Sequence, residues 1–115
     1  MSIRLYHNPR CSKSREALAL LRGRGVEPQI VEYLKDAPTT AELERLLKQL
    51  DLEPRQLMRR GEAIYKELDL DRPAVSRAAL IDALAANPIL IERPIAISGE
   101  RAVIGRPPQK VLELL

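Results

Sequence analysis

Residues 3–24 read IRLYHNPRCSKSREALALLRGR, and this stretch decides the fold. Apolar and polar residues alternate over residues 3–6, which predicts a short strand. A loop through Pro9 follows, and small and apolar residues at helical spacing then predict a helix from Ser12 to Arg24. Gly25 lies where a glycine commonly follows a helix C-terminus. The start of the chain is therefore interpreted as strand, loop and helix.

A second strand follows this helix and contains Ile30, Val31 and Tyr33. The segment between the two strands is long enough for a crossover, so the strands are expected to pair in parallel. The last part of the chain predicts two further strands, at residues 95–97 and 102–104, joined by a hairpin at residues 98–101. These four strands are expected to form one sheet.

The middle of the chain is predicted to be helical. Thr39 and Glu42 fit a capping box that opens a helix with a leucine stripe. Pro54 can open a short helix, and Ser76 is a suitable N-cap for a helix that Asn87 ends. A final helix is expected to begin at the proline pair 107–108 and to carry three apolar residues, which are Val111, Leu114 and Leu115.

The element order βαβ, helices, ββα predicts an α/β fold. We expect a mixed sheet flanked by helices, with a helical insertion over about residues 38–88 between the two halves of the sheet. At 115 residues the chain has room for a single domain, taken as residues 1–115.

Composition excludes several functional classes. Hydrophobic residues make up 45% and charged residues 30%, as in an ordinary globular protein. No apolar stretch approaches the roughly 20 residues of a membrane span, and no signal peptide is recognisable, so a cytoplasmic location is expected. The net charge is only +3, and three tyrosines are the only aromatic residues, so we expect neither a nucleic-acid nor a membrane partner.

Cys11 is the only cysteine and the first candidate for chemistry. A lone cysteine is often an inert, buried hydrophobe. Cys11, however, follows a strand and a proline-containing loop and stands at the start of a helix, where the dipole and unpaired amides favour a thiolate and bind anions. Arg10 and Lys13 add positive charge nearby. One cysteine and one histidine argue against a disulfide framework and a structural zinc site, and no metal is expected.

Two polar residues near Cys11 can assist it. His7 is the only histidine; it is either a structural loop residue or a group that helps to favour the thiolate. Ser14 occupies the place of the second cysteine in a Cys-x-x-Cys motif. It can donate a hydrogen bond to a thiolate but cannot form a disulfide.

Three arginines stand apart from the solvated helix faces. Arg93 precedes Pro94, Arg106 lies between a strand and a predicted helix, and Arg59 has Arg60 as an indistinguishable neighbour. Each alone is accounted for by a surface salt bridge. Together with the Cys11 loop they would form a pocket for a polyanion, because guanidinium groups bind oxyanions with paired hydrogen bonds.

With these residues assembled, the sequence resembles the glutaredoxin-coupled arsenate reductase family over essentially its whole length. The matching blocks are YHNPRCSKSR at residues 6–15, LMR at 57–59, NPILIERPI at 87–95, and GRPP at 105–108 with VLE at 111–113. Ser12 and Lys13 depart from the smaller or uncharged residues that many arsenate reductases carry there.

The resemblance implies a thioredoxin-like fold and a cis peptide before Pro94. It implies that Cys11 attacks arsenate or a similar oxyanion, that the oxyanion is held by three arginines, and that His7 helps to activate the thiol; the arginines are Arg59, Arg93 and Arg106. The choice of Arg59 over Arg60 comes from this alignment. Asn8, Ser14 and Pro94 match supporting positions.

The resemblance also implies arsenate reductase activity and a role in arsenic resistance. Reduction of As(V) to As(III) takes two electrons and the chain has one thiol, so a second thiol must come from outside; in this family it comes from glutathione and then glutaredoxin. Glutathione is thus a co-substrate and no cofactor is bound. Two alternatives stay open: a glutathione-dependent thiol oxidoreductase for another substrate, and an Spx-like regulator that binds RNA polymerase, although Spx-type proteins commonly have a second cysteine where Ser14 stands.

Overall fold

The computed structural model describes residues 2–115. The chain forms two compact units. The sheet unit combines the chain up to Asp36 with Arg93–Leu115, and the helical unit comprises Ala37–Glu92. The single domain over residues 1–115 remains a prediction, and so does the helical insertion over about residues 38–88.

The sheet unit contains four strands, one α-helix and one 3₁₀ segment. These elements are β1 (Arg4–Tyr6), α1 (Ser12–Gly23), β2 (Gln29–Val31), β3 (Ile95–Ser98), β4 (Arg101–Ile104) and the 3₁₀ segment Pro108–Leu114. The strand order is β2-β1-β3-β4, with β1 and β2 parallel and the other two pairs antiparallel. The predicted parallel crossover and the predicted hairpin are both confirmed.

One face of this sheet is covered by α1 and the 3₁₀ segment. Leu5 and Ala96 are paired across β1 and β3 and point to this face, where they meet Leu21 and Val111. The buried cluster is aliphatic throughout: Ile3, Leu5, Ala17, Leu21, Ala96, Val111 and Leu114. Two of the three tyrosines stack elsewhere, since the Tyr6 and Tyr33 rings lie 6.3 Å apart at 17°.

The predicted final helix is present as a 3₁₀ helix, but it ends at Leu114, so Leu115 lies outside it and is exposed. A 3₁₀ helix has three residues per turn, so residues three apart share one face. Pro108, Val111 and Leu114 follow this spacing, and all three are buried. The apolar period of three thus fits the tighter helix, and Leu115 falls off the buried face.

Local signals account for the boundaries of α1 and of the hairpin. Gly25 has a φ of +78° and donates its N–H to the carbonyl of Arg22, as predicted for the residue after a helix. Gly99 adopts a φ of +59° in the turn between β3 and β4. Both positions use the left-handed region that favours glycine.

The helical unit consists of short helices. They are α2 (Thr40–Leu50), a 3₁₀ turn (Pro54–Leu57), α3 (Ala63–Glu67), α4 (Arg77–Ala86) and a second 3₁₀ turn (Pro88–Leu90). The capping box is confirmed, because Thr39 and Glu42 exchange side-chain and backbone hydrogen bonds of 3.0 and 3.1 Å. The Ser76 hydroxyl caps α4 by accepting from the Ala79 N–H at 3.1 Å.

This order of elements is the predicted α/β, thioredoxin-like fold, with helices inserted between β2 and β3. Within residues 2–115, every helix is too short or too polar to traverse a bilayer.

Candidate active site

Cys11 is the N-cap residue of α1, with an extended backbone at φ −96° and ψ 123°. The loop before it is held by Asn8, whose carbonyl accepts from the Cys11 N–H at 3.0 Å. The Asn8 side chain accepts from the Arg10 N–H, also at 3.0 Å. This turn presents the partly exposed Cys11 sulfur at the first turn of the helix.

The surroundings of Cys11 favour its thiolate. Burial raises the pKa of the Cys11 thiol, but hydrogen bonds from the Ser14 backbone N–H, the Arg93 side chain and the Lys13 backbone N–H lower it by more. The pKa of the thiol therefore lies below its ordinary value. Both amides belong to the first turn of α1, where backbone N–H groups have no carbonyl partner within the helix. Their hydrogen bonds to the sulfur are the contribution expected from a helix N-terminus.

Sheet pairing brings two of the predicted site arginines, Arg93 and Arg106, to this sulfur. Tyr6 at the end of β1 pairs with Ile95 at the start of β3, and Ile95 pairs with Ile104 at the end of β4. The loop after β1, the segment before β3 and the segment after β4 therefore share one edge of the sheet. Arg93 and Arg106 lie on the last two of these.

Arg93 and Arg106 are tied to each other as well as to the thiol. The Arg106 Nη2 lies 3.9 Å from the Cys11 Sγ, a long N–H···S contact, while its Nε donates to the Arg93 carbonyl at 2.7 Å. Arg93 lowers the pKa of the thiol through a hydrogen bond and through its charge. Both arginines precede cis prolines, at Arg93–Pro94 and Arg106–Pro107. The cis peptide implied before Pro94 is thus present.

Gly105 occupies a position with no room for a side chain. Its N–H donates to the Pro94 carbonyl at 2.8 Å. A Cβ at this position would lie 2.8 Å from the Pro94 Cγ and 3.0 Å from the Val111 Cγ1, closer than carbon atoms tolerate. The absence of a side chain therefore lets the Arg106 segment approach the Arg93–Pro94 segment.

His7 and Ser14 form a buried pair next to the thiol loop. The His7 Nδ1 lies 2.6 Å from the Ser14 Oγ, which also accepts from the Asn8 N–H at 3.0 Å. Burial lowers the pKa of His7; Glu32 opposes this shift, whereas two arginines of α1 reinforce it. The imidazole is consequently neutral at neutral pH, and it contacts the residue whose backbone N–H reaches the sulfur.

Arg59 lies in the helical unit and is bound there by acidic residues. Its backbone N–H donates to the Leu90 carbonyl at 2.7 Å. Its guanidinium pairs with Glu62 at 2.7 Å and with Glu92 at 3.9 Å, and all three side chains are about one quarter exposed. The sequence interpretation overlooked both carboxylates. Glu62, three residues after Arg59, is the partner that spacing alone would have suggested.

The described part of the chain contains no cluster of side chains that could bind a metal ion. Residues 2–115 contain no group of three His, Cys, Asp or Glu side chains placed to hold a metal ion. The site consists of a thiol, guanidinium groups and helix amides, a donor set suited to an anion.

Comparison with known proteins agrees with the motifs. Residues 6–114 match the model of the ArsC family. The chain is 51% identical to the protein YfgD of Escherichia coli (strain K12), over 98% of this chain and 96% of the relative. It is 48% identical to a protein named arsenate reductase from Haemophilus influenzae, over the full length of both.

A solved structure agrees with the fold. The arsenate reductase from Vibrio cholerae superposes with a TM-score of 0.98 at 52% identity, covering 100% of this chain and 98% of that one. The family model spans nearly all of the sequence, and the relatives match it from end to end. On these grounds the chain belongs to the ArsC family.

Proposed function

We propose that this protein is an arsenate reductase that uses the Cys11 thiolate as its nucleophile. One observation carries the proposal: the Cys11 thiol has a lowered pKa and is contacted by both Arg93 and Arg106. A nucleophile and an oxyanion-binding group are thereby adjacent. The identity of 48% to a protein named arsenate reductase supports arsenate as the oxyanion.

In the first step, arsenate docks on the guanidinium groups and the Cys11 sulfur attacks arsenic. A sulfur–arsenic bond forms and an arsenic–oxygen bond breaks, and the departing hydroxyl group of arsenate takes up a proton from solvent and leaves as water. The arginines offset the negative charge that arsenate brings to an already anionic thiolate. The family resemblance assigns a third oxyanion contact to Arg59.

In the second step, an external thiol supplies the missing electrons, because Cys11 is the only cysteine in the chain. Glutathione sulfur bonds to the Cys11 sulfur as the sulfur–arsenic bond breaks, and the electron pair of that bond stays on arsenic. Arsenic(V) becomes arsenic(III), and two thiols become one mixed disulfide. Glutaredoxin with further glutathione then restores the Cys11 thiol.

The remaining predicted residues support this chemistry through positioning. Asn8 shapes the loop, and Pro94 carries the carbonyl that accepts from Gly105. His7 and Ser14 hold the first turn of α1 through their 2.6 Å contact. We assign no bound cofactor and no nucleic-acid or membrane partner. Glutathione is the co-substrate, and the cytoplasm, where glutathione keeps thiols reduced, is the proposed location.

A second candidate is a glutathione-dependent thiol oxidoreductase with another substrate. The pairing of Arg59 with Glu62 and Glu92 favours this candidate. Arsenate is a dianion that would need the Arg59 guanidinium, and two carboxylates already lie beside that group. Such an enzyme would retain the activated Cys11 and turn over disulfides without arsenate. For the Spx-like alternative, Ser14 is fully buried and bonded to His7, so the position of a second switching cysteine is occupied by a packing residue.

The test is arsenate-dependent NADPH oxidation with glutathione, glutaredoxin and glutathione reductase. We expect turnover with the wild-type protein and none with Cys11→Ser, while Ser12→Ala, an exposed neighbour, retains turnover. Turnover that survives in Cys11→Ser would exclude the proposed nucleophile. Wild-type protein that reduces hydroxyethyl disulfide but not arsenate would favour the second candidate.

A further inference from the structure

Arg10 and Lys13 lie on either side of Cys11 and are both exposed. Within residues 2–115, neither side chain forms an ion pair, in contrast to Arg22, which is bound by Glu27 at 3.0 Å. They also differ from Arg93 and Arg106, whose side chains are directed to the sulfur. The rim of the thiol site thus carries two cations that the attack on arsenate does not use.

The net positive charge of the chain lies in its first 24 residues, the segment that carries Cys11 and both rim cations. Residues 1–24 contain six basic residues and one acidic residue, Glu16, whereas the whole chain has a net charge of only +3. The segment that carries the thiol is therefore strongly basic, and the rest of the chain is slightly acidic. An anionic reactant is favoured at this surface over a neutral one.

We propose that Arg10 and Lys13 bind the carboxylates of glutathione as its sulfur approaches Cys11. The inference rests on the proposed function in one respect, which is that an external thiol must reach Cys11. Glutathione has two carboxylates and one ammonium group, so it is a net anion with its thiol protonated. The flexible side chains at positions 10 and 13 can each meet one carboxylate while Cys11 remains accessible between them.

Thiol–disulfide exchange tests this surface without arsenate. The Cys11 thiolate attacks glutathione disulfide, a Cys11–glutathione disulfide forms and one glutathione thiolate leaves. Hydroxyethyl disulfide has no charge, and the Cys11 thiolate attacks it in the same way. This second reaction therefore serves as the comparison with an uncharged disulfide. The ratio of the two rate constants cancels the thiolate fraction, because both reactions use the same thiol at the same pH.

The variant to measure is Arg10→Gln/Lys13→Gln. We expect the ratio of the glutathione disulfide rate constant to the hydroxyethyl disulfide rate constant to fall about three- to tenfold at low ionic strength, as for two surface charge contacts. In 1 M salt the difference from wild type should nearly vanish, because the screening length is then about 3 Å. Arg24→Gln/Lys110→Gln is the matched control, since it removes the same charge from exposed positions elsewhere in the sheet unit.

An unchanged ratio in Arg10→Gln/Lys13→Gln overturns the proposal, and so does an equal fall in the control variant. A defect that occurs only when glutaredoxin is the reductant also overturns it, because the cations would then recognise a protein surface instead of the tripeptide. Failure of the proposed function gives a different result. The protein would then not turn over arsenate, while its ratio of exchange rate constants would still depend on Arg10 and Lys13.

Discussion

Replacing Gly105 with alanine places a methyl group where two side chains already lie. The added Cβ would stand 2.8 Å from the Pro94 Cγ and 3.0 Å from the Val111 Cγ1. Ordinary carbon contacts are about 3.5–4.0 Å, so each neighbour must retreat by at least about 0.5 Å. Overpacking of this kind costs about 1–3 kcal/mol, offset by about 0.4–1 kcal/mol because alanine restricts the unfolded chain.

We therefore expect Gly105→Ala to lower the free energy of unfolding by about 0.5–2 kcal/mol, measured by urea denaturation. The displaced segment carries Arg106 and is bonded to Pro94, so the guanidinium groups should withdraw from Cys11. The pKa of the Cys11 thiol should rise, measured by thiolate absorbance against pH. Gly23→Ala is the control in the same unit: no atom lies within 4 Å of its added Cβ, so it should be neutral or stabilising.

Two results would refute this reasoning. If Gly105→Ala unfolds at the wild-type urea concentration, the contacts at Pro94 and Val111 are not as tight as described. If Gly105→Ala is destabilised but its Cys11 titration is unchanged, packing at Gly105 does not position the arginines, and its role is confined to the core.

Three further predictions address single contacts. Arg93→Ala should raise the pKa of the Cys11 thiol and weaken arsenate binding by calorimetry; unchanged values for both would remove Arg93 from the site. Because the folded-state pKa of His7 is lowered, its contribution to stability is present above pH 6.5 and is lost as the pH falls through the folded-state value. Urea denaturation should show this loss in wild type and a shallower pH dependence in His7→Gln, and equal slopes would contradict it. Thr39→Ala removes the cap of α2 and should cost about 1 kcal/mol, and an unchanged urea midpoint would argue against the cap.

Local signals in the sequence were enough to place most elements. Helix starts were marked by Thr39 and Ser76, whose side chains bond to the backbone three residues later, a short-range interaction that spacing reveals. The five-residue helix α3 was not predicted, because a segment of barely more than one turn is too short to display a helical period. The 3₁₀ geometry at the C-terminus was missed although the apolar spacing of three indicated it.

The site was only partly predictable from local sequence. The position of Cys11 at a helix start follows from adjacent residues, but its proximity to Arg93 and Arg106 depends on how β1, β3 and β4 pair. Those contacts join residues more than 80 positions apart, and no periodicity encodes them. The sequence context of Arg93 and Arg106 marked them as candidates, and the family resemblance assigned them to an oxyanion site. Of the acidic partners of Arg59, Glu62 is suggested by its spacing of three residues, whereas nothing local distinguishes Glu92, 33 positions away, from a solvated carboxylate.

The sheet unit is built from both ends of the chain. During synthesis, residue 11 leaves the ribosome long before residues 93 and 106 exist, because translation proceeds at about 5–20 residues per second. A nascent chain that stops before Arg93 lacks the central antiparallel partner of β1 and both guanidinium groups. We expect its sulfur to titrate like an ordinary cysteine. Reactivity toward oxyanions and disulfides is thereby postponed until residues 93–106 have been synthesised.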